Sequence, residues 1–231
     1  METIIRGIYN YCDRWCERCT LPERCAVFAA EQGSPSSDTD NEAFWRQLHD
    51  TLGVAMELVK EAADEYGLDL DPYMSEEDEA FEACIEMQVQ EHPLIRQATE
   101  YVKLVGEWFG TSAECGDEIY SEGELSDSEQ VILRYHTLIW TKLNRASRQL
   151  FECEPPYPTD LTYDSDGSAK VALIAMDRSI AAWWRMRGQF PGLNRAILKF
   201  LVLLAQLKDA TEHVFVNARD FVRPGFDEGS L

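Results

Sequence analysis

From residue 42 onward, apolar side chains recur every three or four positions, and no stretch alternates apolar with polar residues as a half-buried strand does. That period places the apolar residues on one stripe of a helix, and a chain made of such stripes must bury them against one another. The expected fold class is therefore all-α. Specifically, five long helices form a bundle over residues 42–231, behind a cysteine-rich segment at 1–30 and a polar linker at 31–41.

The first helix is expected over residues 42–66, with Trp45, Leu48, Leu52, Met56 and Val59 on its stripe, His49 partly buried at its border and Gly67 as its stop. A second begins near Ser75 and breaks at Pro93, which removes a donor and clashes with the preceding turn. Its continuation runs through Ile95, Ala98, Tyr101, Val105 and Trp108 to an acidic loop at 110–127. Ser126 and Glu129 have capping-box spacing and start the third, whose stripe is Ile132, Tyr135, Ile139, Leu143 and Ala146. Prolines 155, 156 and 158 end it, and a turn-rich loop is expected over 160–167. The fourth helix is expected over 168–187. The fifth spans 195–217, capped by Asn194 and apolar nearly all round, hence central. Trp45, Trp108, Trp140, Trp183 and Trp184 are read as core fillers.

The chain has 42 acids against 21 bases, a net charge of −21, and this narrows the partners. Nucleic acid needs a basic footprint and an anionic membrane repels such a surface, so neither is expected, and a protein partner is. Apolar residues make up 45%, which is too many for a disordered acidic chain. The first ten residues lack a signal-peptide pattern and the longest apolar run, at 200–205, is far short of a membrane span, so a cytoplasmic location is the default expectation.

Seven cysteines without a secretion signal do not read as a disulfide framework. Cys84, Cys115 and Cys153 are isolated, but Cys12, Cys16, Cys19 and Cys25 follow C-x3-C-x2-C-x5-C. Four thiolates so close in sequence can converge on one metal at little loop-closure cost. Structural zinc usually takes two C-x2-4-C hooks set apart, whereas one short wrap suits a [4Fe-4S] cluster; both Zn2+ and the cluster remain open. Arg14, Arg18 and Arg24 lie among the cysteines, where guanidinium groups would offset thiolate charge.

The last three cysteines resemble the cluster loops of certain DNA-repair glycosylases and of some nucleases of CRISPR systems. The likeness spans about ten residues and implies cluster binding only; the first cysteine's spacing departs from those glycosylases and the basic surface is missing. The run IYNYCDRWCERC also resembles the N-terminal signature of a family of uncharacterised bacterial proteins, as do GSAKVALIAMDRSIAAW and ARDFVRPGFDE further on. This resemblance implies no activity.

Other polar residues on apolar stripes invite two readings. Asp177 and Lys142 each sit on an apolar face and are expected to form a buried ion pair. Alternatively His92, Glu129, His136, Asp177 and Glu212 form a di-metal site in the bundle, which would make the protein a redox enzyme. No Glu-x-x-His, P-loop, G-x-G-x-x-G or G-x-S-x-G occurs, so the sequence leans away from an enzyme, and catalytic residues are not assigned.

Overall fold

A computed structural model of the chain describes residues 3–33, 76–110, 126–152 and 159–227, with helical positions scattered between 42 and 60. Six complete helices lie among them and no strand: α1 (Ala26–Gly33), α2 (Glu76–Glu91), α3 (Pro93–Phe109), α4 (Asp127–Glu152), α5 (Thr159–Gln189) and α6 (Asn194–Val214). Within the stretch expected as linker, residues 31–33 belong to α1; the rest, with Gly67, the loop at 111–125, Cys115, Cys153 and the three prolines, lies outside the described residues.

The four long helices run alternately up and down. Partners descend along one helix as they ascend along the next. Thr99 meets Trp140 and His92 meets Phe151 between α3 and α4. Arg145 meets Asp164 and Tyr135 meets Arg178 between α4 and α5, and Asp177 meets Lys208 and Trp183 meets Phe200 between α5 and α6. α3 also touches α6, closing a four-helix ring, and α2 leans on α3 and α4. The core is the inward face of that ring: Ile95, Ala98, Tyr101 and Val105; Ile132, Ile139 and Leu143; Leu173, Met176 and Trp183; Ile197, Phe200, Leu204 and Leu207. Trp183 stacks on Phe200 with centroids 4.1 Å apart and donates to the Tyr101 hydroxyl at 3.1 Å.

Local chemistry sets the boundaries. Pro93 forces His92 into an extended conformation (ψ 133°), so α2 stops and α3 restarts with proline in its first turn. Gly110 closes α3 at φ 73°, in the left-handed region. The Ser126–Glu129 capping box forms: the Ser126 N–H donates to Glu129 Oε2 at 2.8 Å, and the Glu129 N–H reaches Ser126 Oγ at 3.4 Å.

Four expectations are corrected. α5 begins at Thr159, not near Ser168, so residues 160–167 are helix rather than loop. Their turn-forming side chains have tertiary partners instead: Asp164 accepts from Tyr11, Arg145 and Gln149, and Ser165 donates to the Ala146 carbonyl. Asn194 is already helical and accepts from Arg187, so it does not cap α6. Nor is α6 central: Leu198 and Val202 are exposed, because only one side of it faces the ring. Finally, Trp183 fills the core and Trp108 and Trp140 pack on it, but Trp184 and Trp45 are exposed, as are His49, Leu48, Leu52, Met56 and Val59. No single helix among the described residues is long and apolar enough to cross a membrane.

Candidate metal centre

The N-terminal segment lies against the outer groove of α4 and α5. Its two ends are tied together, with the Ile5 N–H on the Arg24 carbonyl at 2.9 Å and Arg24 Nε on the Thr3 carbonyl at 3.1 Å. Between them three single 3-10 turns, Ile8–Asn10, Cys16–Arg18 and Pro22–Arg24, space the cysteines. Cys16 opens the second turn and Cys19 closes it, donating to the Cys16 carbonyl; Cys25 closes the third by donating to Pro22. Between Cys12 and Cys16 the chain reverses at Arg14, whose φ of 53° costs a residue with a Cβ about 1–2 kcal/mol. The guanidinium of Arg134 holds that turn by donating to the carbonyls of Asp13 and Arg14.

Anchors to the bundle run the length of the segment. Tyr11 donates to Asp164 at 3.0 Å and rests on Phe221, ring centroids 4.7 Å apart. Lys142, almost fully buried, donates to the Asn10 carbonyl at 2.7 Å. Asp13 accepts from the Tyr135 hydroxyl at 2.8 Å, from the Trp15 N–H at 3.2 Å and from Arg178. Burial alone would raise the Asp13 carboxyl, but these donors and the Arg178 charge outweigh it and hold it below the usual carboxylate range. Burial together with Asp13 pushes the Tyr135 hydroxyl up to about 12.

The tail after α6 completes the wall. Lys170 draws it onto α5 by donating to the carbonyls of Arg219 (2.7 Å) and Phe221 (2.9 Å). Gly167 lets Tyr11 and Phe221 press against the α5 backbone: a Cβ there would stand 2.4 Å from the Tyr11 ring and 2.7 Å from Phe221. A mid-helix glycine is unfavourable by roughly 0.5–1 kcal/mol relative to alanine, and this approach is what requires it.

Cys12, Cys16, Cys19 and Cys25 all line one small pocket, with Ile8, Pro22, Phe28 and Phe226 as apolar wall. All four are half-buried and none is in a disulfide. The donor set suits a thiophilic ion, and donors already point at sulfur: the Leu21 N–H reaches Cys19 Sγ at 3.4 Å. Burial pushes the Cys12 thiol up, while the Arg14 N–H and the charges of Lys142 and Arg14 oppose that shift. Yet no three His, Cys, Asp or Glu side chains among the described residues are arranged to hold a metal ion. The four cysteines share a pocket; their sulfurs do not share a coordination sphere in this conformation.

Of the three arginines, Arg14 bears on Cys12. Arg18 reaches away to Asp127 at 2.7 Å and lies over the Trp15 ring, and Arg24 serves the Thr3 carbonyl. Lys142 is the cation that sequence reasoning assigned elsewhere. It does not pair with Asp177. Adjacent helical residues point about 100° apart, so Arg178 faces α4 while Asp177 faces α6. There Asp177 meets Lys208 at 2.7 Å and Arg219 at 2.9 Å. Burial would raise the Asp177 carboxyl, but those two bases hold it low.

The five residues considered for a di-metal site are not brought together. Glu129 serves the capping box, Glu212 pairs with Arg219, and the His136 ring engages the Leu133 carbonyl at 2.7 Å. His92 abuts Phe151 at the junction of α2 and α3. Burial lowers the pKa of both histidines. Asp13, Tyr135, Lys142 and Arg178 were not read as site residues. The visible signal was that Asp13 lies inside the cysteine run and that polar residues interrupt the facing stripes. No protein-family model, no curated protein and no solved structure matches the chain.

Proposed function

We propose that Cys12, Cys16, Cys19 and Cys25 bind one metal centre, Zn2+ or a [4Fe-4S] cluster, and that this centre fixes the fold of the N-terminal segment that docks on the bundle, in a structural, protein-interaction role. The observation that carries this reading is that four cysteines in no disulfide, spread over fourteen residues, line the same pocket. The segment is already held on the bundle at Asn10, Tyr11, Asp13 and Arg18, so the cysteines belong to a docked stretch of chain. Lys142 and Arg14 would offset part of the thiolate charge, and binding would release the Cys12 proton that burial retains. The exposed apolar residues Leu48, Leu52, Met56 and Val59 support a protein partner, since apolar positions in that register are otherwise buried.

The test is elemental analysis and absorption spectroscopy of protein purified without oxygen. One zinc per chain in colourless protein identifies the ion; iron with a broad visible band identifies the cluster. Either must fall on Cys16→Ser or Cys25→Ser. Metal-free protein whose four thiols all alkylate freely would sink the proposal.

A further inference from the structure

Beside the cysteine pocket, and sharing Asp13, Trp15, Cys19 and Phe226 with it, is a second and larger opening of about 410 Å³ between the N-terminal segment, α4 and α5. Its lining includes the apolar Val131, Ala181 and Ala182 together with Arg18, Arg178 and Arg185. Acids outnumber bases 42 to 21 in the whole chain, yet here three guanidinium groups face the Asp13 carboxylate on the wall and Asp127 at the rim. The charge balance is reversed.

Those arginines also retain donors. Arg178 spends Nη1 on Asp13 and Tyr135, and its Nε and Nη2 have no partner among the described residues. The sole ion pair of Arg185 among them is a 3.9 Å approach to Asp127. Arg18 is held flat, over the Trp15 ring at 4.1 Å and on Asp127 at 2.7 Å. A guanidinium with free parallel N–H groups binds a carboxylate or a phosphate in a bidentate manner, and an apolar lining takes the body of such a molecule.

We infer that this opening binds a small organic anion, an apolar body carrying a carboxylate or phosphate that Arg178 and Arg185 grip. The two gripping side chains, Arg178 and Arg185, are not among the residues proposed to hold metal, although Cys19 lines both openings.

Calorimetric titration of the full chain with phenyl phosphate, benzoate and neutral benzyl alcohol tests it. Phenyl phosphate or benzoate binds, the tighter of the two naming the headgroup, and benzyl alcohol does not. Arg185→Gln, at an exposed side chain that leaves the fold intact, weakens the anion about tenfold, the equivalent of one charge-assisted contact. Arg178→Gln weakens it at least as much, and Arg96→Gln, at a distant surface, leaves it unchanged. The inference is overturned if neither anion binds by about 10 mM, a limit weaker than any designed contact. Equal binding of benzyl alcohol, or undiminished affinity in Arg185→Gln, overturns it as well. Because the titration reads anion affinity and elemental analysis reads metal, either idea can fail while the other survives.

Discussion

The ring of α3 to α6 and the N-terminal segment are held by opposite means. The ring has a continuous apolar interior in which Ile95, Ala98, Tyr101, Val105, Ile139 and Leu143 have no exposure at all. Among the described residues of the segment, only Ile8 and Tyr11 are buried apolar residues; the rest is fixed by contacts such as Asp13 to Tyr135 and Lys142 to the Asn10 carbonyl. Apolar burial accumulates over many atoms and tolerates the loss of one. A seam of individual polar contacts does not, so the segment needs a further crosslink far more than the ring does.

The sharpest way to break this contrast is at Trp183. Trp183→Ala removes the stack on Phe200 and leaves the Tyr101 hydroxyl without its donor, and should cost about 3–5 kcal/mol. Helicity and thiol protection should be lost in one transition when followed by circular dichroism and alkylation. If thiols became reactive well before helicity fell, the ring would not be what supports the segment.

Gly167→Ala should act on the seam first. The added methyl meets Tyr11 and Phe221, and overpacking of this kind costs up to about 3 kcal/mol. Alkylation of Cys12, Cys16, Cys19 and Cys25 should speed up at a temperature where the helical signal is unchanged. A uniform drop in melting temperature with thiols still protected would mean that the two regions unfold as one.

Asp13→Asn should have the smallest effect, about 1–2 kcal/mol, from weakening the contacts with Arg178 and Tyr135. It also carries a pH signature. The carboxyl of Asp13 is depressed in the folded protein, so its stabilisation is fully present above the unfolded value near 3.9, and fades as pH falls through the lower folded value. Thiol protection in the natural chain should therefore weaken below about pH 4 more steeply than in Asp13→Asn, by alkylation with an acid-tolerant reagent. Parallel curves would show that Asp13 does not anchor the segment.

The sequence stripes of α3 and α4 were legible because their apolar residues keep a strict helical period and their starts carry Pro93 and the Ser126–Glu129 box. The beginning of α5 was not. Residues 160–167 are rich in turn formers, and only Tyr11, Arg145 and Gln149, arriving from elsewhere in the chain, give Asp164 a reason to be helical. The partner of Asp177 was misread for a related reason: a stripe tells which face is apolar, not which neighbouring helix covers it. For the cysteines, spacing anticipated the shared pocket and named Arg14 beside it, whereas Lys142, the other cation acting on Cys12, had to come from the fold.

Gly167 also sets an order of events. The notch it leaves in α5 is filled by Tyr11 and Phe221 together, residues from nearly opposite ends of the chain. During synthesis, which proceeds from the amino end, the four thiols emerge before the helices that shelter them, and that shelter is complete only when Phe226 has been made. The cysteine segment is thus made well before it is enclosed, and an ion of the kind proposed for its sulfurs would have that whole interval in which to arrive.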